Sequence, residues 1–227
     1  MAEAETKSGI KYNPPTVRPW RDEGHFVIPE VSYRGETGDY ALFEEMTPAM
    51  TQHKLIELYE REKQAGNPVP TDAPLIWAIA TRGDELRDEN PEEAQRLSQF
   101  FRNSLRRYPN TLTRVDYSPE GDCILHNVGT SDQYSTEGKV FGPNEWVHKV
   151  PDKDVLERLL GTQDAEQINK ISQQINGTDF YLWRFNSKPK QLDKRVARFG
   201  ARDGRLYLDC DRGPLGEGPA FRVLQLE

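Results

Sequence analysis

The sequence predicts an α+β protein in which a helical N-terminal half packs on a mainly antiparallel β-sheet from the C-terminal half. Before Pro109, helix caps and apolar residues at helical spacing dominate the sequence. After Pro109, short runs of alternating apolar and polar residues are bounded by Gly, Pro, Asn and Asp, as strands commonly are. The change of pattern at Pro109 therefore indicates a change of layer within one fold.

The composition is that of a folded protein with a polar surface. Only 35% of the 227 residues are hydrophobic, but nine Tyr, nine Phe and four Trp are too many for a disordered chain. A net charge of -7 gives no overall attraction to DNA or to an anionic membrane. No apolar run approaches the roughly 20 residues of a membrane helix, and the acidic N-terminus lacks the apolar core of a signal peptide. We therefore expect a cytoplasmic protein without a membrane partner.

The sequence divides into an arm and one domain. Residues 1–40 carry several Pro and Gly and show no sustained periodicity, so we expect an extended, partly disordered arm. Residues 41–227 are predicted to form a single α+β domain. Within that domain, residues 41–108 should supply the helical layer, and residues 109–227 a mainly β layer with two short helices.

Three helices are predicted in the N-terminal half. The first begins at Thr47, a good N-cap that is followed by proline at the first helical position, and it ends at Gly66. The second begins after a cap supplied by Thr71 or Asp72. The third begins at Asn90 and carries two glutamates in its first turn, where they stabilise the positive end of the helix dipole.

Strand patterns and two short helices fill the C-terminal half. Alternating residues predict strands at 111–117, 123–128, 139–141, 180–185, 195–199, 205–210 and 221–226. Apolar residues at helical spacing, each run ending at a glycine, predict helices at 152–160 and 164–175. The strands at 195–199 and 205–210 should form a hairpin around Gly204.

Two carboxylates and a lysine follow Pro109 in an order that could form a metal site. Asp122 precedes one predicted strand, and Glu137-Gly138-Lys139 stands where the next strand begins. With the helix before them and the helix and strand after them, this order resembles the core of the restriction-endonuclease-like nucleases. The resemblance implies that Asp122 and Glu137 bind a divalent metal such as Mg²⁺ while Lys139 orients the attacking water. A metal-dependent nuclease with these three catalytic residues is the alternative function.

The sequence indicates no other catalytic arrangement. Cys123 and His126 are three residues apart on a predicted strand, so their side chains should lie on opposite faces. Cys123 and Cys210 cannot form a zinc site by themselves, and the sequence contains no Gly-rich loop of the phosphate-binding type. Outside the nuclease alternative we expect neither a cofactor nor a bound metal.

A basic stretch follows directly on the aromatic strand predicted at 180–185. Cations beside exposed aromatic rings can hold phosphates while bases or sugars stack on the rings. Polar side chains also gather in residues 126–134, here called the polar segment, at the end of a predicted strand. The predicted ligand-binding residues are Arg184, Lys188, Lys190, Lys194, Arg195 and Arg198 in the basic stretch, with His126 and Tyr134 in the polar segment.

The sequence thus favours a non-enzymatic binding or interaction protein, although it identifies no specific ligand. The expected partner is a protein or an anionic ligand that meets the basic stretch. Nucleic acid stays among the candidates because a local basic patch can act within the roughly 10 Å range of surface charges, whatever the overall charge of the chain.

Overall fold

The computed structural model describes residues 21–22, 24–139, 144–185, 189–202 and 204–226. The α-helices in this part of the chain are α1 (Gln52–Gln64), α2 (Ala73–Glu85), α3 (Pro91–Leu105), α4 (Asp154–Leu160) and α5 (Ala165–Asn176). The strands are β1 (Arg21–Asp22), β2 (His25–Tyr33), β3 (Glu36–Phe43), β4 (Val69–Pro70), β5 (Asn110–Tyr117), β6 (Asp122–His126), β7 (Tyr134–Gly138), β8 (Glu145–Trp146), β9 (Phe180–Trp183), β10 (Asp193–Arg202), β11 (Arg205–Arg212) and β12 (Arg222–Leu226).

The strands form two sheets. In the first sheet the order is β1-β2-β3-β12-β4, and neighbouring strands are antiparallel. In the second sheet the order is β7-β6-β5-β10-β11-β9-β8. Its neighbouring strands are antiparallel except β9 and β11, which run parallel. The second sheet is therefore mixed.

The predicted fold class is wrong, because helices and strands are interleaved along the described chain. Strands β2 and β3 lie in the N-terminal half, and helices α4 and α5 lie in the C-terminal half. Strand β12, near the C-terminus, pairs with β3, so one sheet joins distant parts of the sequence. No helical N-terminal half packs as a layer on a C-terminal sheet in the described residues.

A β-bulge explains why the sequence pattern does not reveal the hairpin of β2 and β3. The register between the two strands shifts between Ile28 and Val31. Pro29 has no N–H to donate, and Glu30 has a φ of 53°, in the left-handed region that residues with side chains rarely adopt. The bulge breaks the two-residue alternation, yet Ile28 and Val31 are completely buried.

The hairpin also changes the description of the predicted arm. Residues 25–40, which we expected to belong to an extended arm, lie in β2, in β3 and in the turn between them. Residues 1–20 lie outside the described residues. The division of the chain at residue 40 into an arm and a domain stays a prediction.

Most predicted helix ends are confirmed. Asp72 caps α2 and accepts the N–H of Leu75 at 3.0 Å. Asn90 caps α3 with its side chain. Gly161 and Gly177 end α4 and α5 with positive φ, which glycine adopts without steric cost. Local sequence suffices at these ends because each cap acts within a single turn of helix.

Two predicted elements lie elsewhere than expected. Helix α1 begins behind the N-cap Thr51, whereas Thr47 exchanges hydrogen bonds with the backbone of Ala220 through its own N–H and its hydroxyl. This contact with a distant part of the chain takes the place of the expected local cap. Strand β7 ends at Gly138, before the strand predicted at 139–141, of which residues 140–141 lie outside the described residues.

The main core lies between the second sheet and the helices packed on it. The indole of Trp77, on α2, contacts Phe180 of β9 edge-on, with ring centroids 5.0 Å apart, and stacks near Phe199 of β10 at 6.3 Å. Leu206 and Leu208 of β11 belong to the same core. Because this face of the sheet is apolar, the polar residues of the same strands lie on its other face.

Candidate functional site

Buried and partly buried residues alternate along β9, so aromatic side chains lie on the outer face of the second sheet. Phe180 and Leu182 are fully buried in the core. Tyr181 and Trp183 alternate with them and are only partly buried. Since successive side chains of a strand point to opposite faces, these two rings lie on the outer face.

The same alternation places cationic residues beside these rings. In β11, Arg205 and Tyr207 lie on the outer face, opposite the buried leucines of that strand. The register pairs Tyr207 with Tyr181 of β9 and Arg205 with Arg202 of β10, and directly paired residues share a face. We call this surface the aromatic face, which comprises Trp146, Tyr181, Trp183, Arg198, Arg202, Arg205 and Tyr207.

Four rings form a continuous ladder across the aromatic face. The ring centroids of Trp146 and Tyr181 are 5.0 Å apart, those of Tyr181 and Trp183 are 5.1 Å apart, and those of Trp183 and Tyr207 are 6.5 Å apart. The guanidinium of Arg205 lies 5.4 Å from the Trp146 ring and 4.9 Å from the Tyr181 ring, within cation–π range. Arg205 thus occupies one end of the ladder.

A concavity of about 400 Å³ opens beside Trp183 and Tyr207 of the ladder, and Arg205 extends along it. Its lining residues are Trp183, Tyr207, Arg198, Arg202, Arg205, Arg212, Asp209 and Asp211. Four guanidinium groups against two carboxylates give the concavity a net positive charge. Nη2 of Arg198 donates to Oδ2 of Asp209 at 3.0 Å, so one of these cations is held in place by an anion.

The absence of a side chain at Gly200 leaves the space that the Tyr207 ring occupies in this concavity. A Cβ atom at Gly200 would lie 2.6 Å from two ring carbons of Tyr207, closer than any tolerated contact. The Tyr207 ring therefore lies against the backbone of β10. Glycine in the interior of a strand commonly marks such a close approach.

Replacing Gly200 by alanine is expected to lower the free energy of unfolding by about 1–3 kcal/mol, because the new methyl group must displace the Tyr207 ring. Gly213 is a matched control, since a Cβ there meets no atom within 4 Å and its φ is not in the left-handed region. Gly213→Ala should change stability little. Urea unfolding of both variants checks the prediction, and equal losses in the two would contradict it.

The predicted basic residues do not form one surface. Arg184 is buried at the end of β9. Arg195 makes two hydrogen bonds of 2.8 Å to a carboxylate of its own strand, which neutralises its charge. Lys188 lies outside the described residues, whereas Lys190 and Lys194 are exposed. Of these described residues, Lys190, Lys194 and Arg195 are absent from the lining of the concavity.

Of the predicted basic residues, only Arg198 is found among the described lining of the concavity. The predicted set lacks the other arginines and both rings of the lining, Trp183, Arg202, Arg205, Tyr207 and Arg212. For Arg205 and Tyr207 the signal is the alternation of polar and apolar residues along β11, together with the pairing of that strand to β9. The alternation is visible in the sequence, but the pairing between the two strands is not.

The polar segment belongs to a different cluster, built around the carboxylate of Asp72. Asp72 is fully buried, and its Oδ2 accepts the hydroxyl of Tyr33 at 2.5 Å and the hydroxyl of Tyr134 at 3.1 Å. The ring of His126 stacks on that of Tyr134, with centroids 4.7 Å apart. The two predicted ligand-binding residues of the polar segment, His126 and Tyr134, are thus in direct contact.

Helix α1 holds the polar segment in place. The hydroxyl of Tyr59 donates to the carboxylate of Asp132, and Nζ of Lys63 donates to the same carboxylate at 2.5 Å. The backbone N–H of Ser131 donates to Oε1 of Glu60 at 2.6 Å. These contacts attach the polar segment firmly to α1.

The imidazole of His126 is neutral and has a defined tautomer. Its Nε2 lies 2.8 Å from the carbonyl oxygen of Arg158, which can only accept, so Nε2 carries the proton. Its Nδ1 then accepts the hydroxyl of Thr113 at 2.9 Å, and that hydroxyl oxygen accepts the N–H of Ala73 at 2.9 Å. Burial lowers the pKa of His126, which keeps the ring uncharged at neutral pH.

The two phenols of the cluster are donors rather than bases. Burial raises the pKa of Tyr33 and of Tyr134 well above the ordinary value for tyrosine, and the nearby charge of Asp72 raises both further. Both hydroxyls therefore keep their protons at neutral pH and donate hydrogen bonds to Asp72.

Stability is expected to fall in acid partly through His126. In the unfolded chain this residue binds a proton near its ordinary pKa of 6.5, whereas burial lowers its pKa in the folded protein. The unfolded state then binds more protons, so stability is lost as the pH falls from 6.5 to the lowered folded value, and no further loss arises below it.

Urea unfolding at a series of pH values checks this expectation. His126→Gln should flatten the dependence of unfolding free energy on pH below 6.5. Leu215, whose exposed side chain does not titrate, is the control, and Leu215→Ala should leave the dependence unchanged. An unchanged slope in the His126 variant would contradict the prediction.

The strand register separates the residues of the nuclease alternative. It pairs Asp122 with Gly138 and Cys123 with Glu137. Because neighbouring positions of a strand face opposite sides, Asp122 and Glu137 lie on opposite faces of the sheet. Asp122 is buried and Lys139 is exposed. Among the described residues, no group of three or more His, Cys, Asp or Glu side chains is arranged to hold a metal ion.

Comparisons with known proteins do not indicate a function for this chain. No family model, no curated protein and no solved structure matches the chain. In the described part of the chain, no helix has both the length and the apolar character needed to cross a membrane. The interpretation therefore rests on the side chains that the fold brings together.

Proposed function

We propose that the protein is a non-enzymatic binding protein that holds single-stranded nucleic acid on the aromatic face. One observation carries the proposal: two aromatic rings and four arginines from three adjacent strands converge on one concavity. The rings are those of Trp183 and Tyr207, and the cations are Arg198, Arg202, Arg205 and Arg212.

The two kinds of side chain match the two parts of a nucleotide. Every base has a flat face that can stack on an aromatic ring, at about 1–3 kcal/mol per base. The planar guanidinium of arginine donates paired hydrogen bonds to phosphate oxygens. A single strand fits better than a duplex, because the rings lie on a sheet and reach only bases that are unstacked from their neighbours.

The charge of the protein limits the expected affinity and makes it dependent on salt. The overall charge of -7 gives no long-range attraction, so binding depends on the local excess of arginine over aspartate in the concavity. For a single strand, the logarithm of the binding constant falls with that of the salt concentration by about 0.7 for each phosphate neutralised. Three neutralised phosphates would thus give a slope of about -2.

Fluorescence anisotropy with a labelled oligothymidylate of about twelve nucleotides tests the proposal. The wild-type protein should bind with the stated salt dependence. Trp183→Ala and Tyr207→Ala should each weaken binding about tenfold, because each removes a stacking surface. Arg202→Glu should weaken binding and flatten the salt dependence. Lys54→Glu, which reverses an exposed charge on α1, should change affinity little.

Three results would contradict the proposal. The first is the absence of binding at about 50 mM salt, where phosphate contacts are strong. The second is equal affinity of the wild type and the folded Trp183→Ala variant, with folding checked by circular dichroism. The third is tighter binding of polyglutamate than of the oligothymidylate, which would identify an acidic protein surface as the partner.

A further inference from the structure

Two carboxylates lie in the concavity of the aromatic face, and contacts with phosphate do not account for them. Asp209 and Asp211 line the concavity together with two aromatic rings and four arginines. Phosphate oxygens accept hydrogen bonds and carry negative charge, so they repel a carboxylate that has no donor or cation beside it. Each of the two carboxylates therefore needs a partner, either in the protein or in the ligand.

Asp209 has its partners within the protein. Its Oδ2 accepts a hydrogen bond from Nη2 of Arg198 at 3.0 Å, and its Oδ1 accepts the backbone N–H of Asp211 at 3.0 Å. Its side chain is only 18% exposed. Asp209 thus holds Arg198 in position and has little capacity left for a ligand.

The carboxylate of Asp211 is more open, with 47% of its side chain exposed. Its Oδ1 lies 3.5 Å from Nη1 of Arg195. That guanidinium is engaged elsewhere, because it donates two hydrogen bonds of 2.8 Å to Asp193 and one of 3.2 Å to the backbone carbonyl of Asp211. No described residue donates a hydrogen bond to the Asp211 carboxylate, so its oxygens can accept one from a ligand.

The position of Asp211 relative to the rings matches the sugar of a nucleotide. Tyr207, Asp209 and Asp211 alternate with buried residues along β11 and so share a face, with about 7 Å between successive members. Trp183 is paired with Asp209 on the neighbouring strand. In a nucleotide the sugar connects the base to the phosphate. With a base stacked on the rings and its phosphate at the arginines, the sugar would lie over this row of carboxylates.

We infer that the aromatic face prefers RNA to DNA, because the carboxylate of Asp211 accepts a hydrogen bond from a ribose 2′-hydroxyl; this inference rests on the proposed function. The 2′-hydroxyl is the donor that a ribonucleotide has and a deoxyribonucleotide lacks. With deoxyribose the carboxylate meets no donor on the sugar and repels the neighbouring phosphates. Asp211 is thus a specificity-determining residue, whereas stacking on the rings does not distinguish the two sugars.

Fluorescence anisotropy with labelled oligouridylates, as long as the oligothymidylate, tests the inference. Three strands share the same bases and phosphates and carry ribose, deoxyribose or 2′-fluoro-deoxyribose. The fluorine keeps the sugar pucker of RNA but cannot donate a hydrogen bond. The wild-type protein should bind the ribose strand about tenfold more tightly than either of the others, the ratio expected for one hydrogen bond to a charged acceptor.

Asp211→Ala separates this hydrogen bond from the other contacts. The variant should bind the ribose strand more weakly and the deoxyribose strand as tightly as the wild type or more tightly, so that the ratio of the two affinities falls close to one. Asp88→Ala, which removes an exposed carboxylate between α2 and α3, should keep the tenfold ratio. Circular dichroism checks that both variants fold, and the wild-type ratio tests the inference by itself if Asp211→Ala does not.

Three results would overturn the inference. The first is equal affinity of the wild type for the ribose and deoxyribose strands while both bind, which would leave the proposed function in place. The second is equal affinity for the ribose and 2′-fluoro strands, which would show that the protein recognises the sugar pucker. The third is an unchanged ratio in the folded Asp211→Ala variant. Binding of none of the three strands would contradict the proposed function as well.

Discussion

Replacement of Asp72 by alanine is expected to lower the free energy of unfolding by about 3–5 kcal/mol. The carboxylate is completely buried and accepts the N–H of Leu75, the hydroxyl of Tyr33 and the hydroxyl of Tyr134. Its removal leaves three donors without an acceptor in the protein interior. An unsatisfied buried donor costs about 1–3 kcal/mol, and the loss of a helix cap typically costs about 1 kcal/mol.

Urea unfolding of a graded set of variants measures this effect. Tyr134→Phe removes a single hydrogen bond and should cost about 1 kcal/mol. Asp72→Asn keeps an oxygen for the cap but loses the charge, so its cost should lie between those of Tyr134→Phe and Asp72→Ala. A loss below about 1 kcal/mol for Asp72→Ala would show that Asp72 does not hold the hairpin tip and the polar segment together.

Replacement of Trp77 by alanine is expected to lower the free energy of unfolding by a similar amount, about 3–5 kcal/mol. The indole is almost completely buried, and it contacts Phe180 and Phe199 on two strands of the second sheet. Truncation leaves a large cavity, because helix α2 cannot collapse onto a sheet held by neighbouring strands.

Chemical denaturation of Trp77→Ala and of a surface control checks this second prediction. Leu215 is 87% exposed, so Leu215→Ala should change the unfolding free energy by less than about 0.5 kcal/mol. Trp77→Phe keeps part of the aromatic contact and should cost less than Trp77→Ala. If Trp77→Ala cost no more than the Leu215 variant, the assignment of this residue to the centre of the core would be wrong.

Elements with strong local signals could be predicted from the sequence. Asp72 and Asn90 cap their helices as expected, and Gly161 and Gly177 end theirs. The hairpin of β10 and β11 is also confirmed, since its strands are joined by a short turn around Gly204. In each case the deciding interaction connects residues that are close in sequence.

The pairing of distant strands could not be predicted in this way. Strand β12 pairs with β3, and β9 pairs in parallel with β11, although nothing in either segment specifies its partner. The bulge between Ile28 and Val31 hides the alternation of β2. These three features produce the difference between the expected helical half and the observed interleaved fold.

The candidate site could be predicted only in part for the same reason. The sequence shows aromatic residues in β9 and arginines in the following segments, but the pairing of β9 with β11, which places them on one face, has no sequence signal. The ion pair that neutralises Arg195 could have been predicted from the sequence. Asp193 lies two residues earlier on the same strand and therefore on the same face. The cluster of Tyr33, Asp72 and Tyr134 joins three distant segments and has no sequence signal.

The most direct test of the proposed function is to follow the indole N–H resonance of Trp183 while the oligothymidylate is added to the ¹⁵N-labelled protein. If the aromatic face holds the strand, this resonance shifts saturably with the same affinity as the anisotropy measurement, and the Trp77 indole resonance stays in place. If the oligothymidylate binds while the Trp183 resonance does not move, the strand lies elsewhere and the account is wrong.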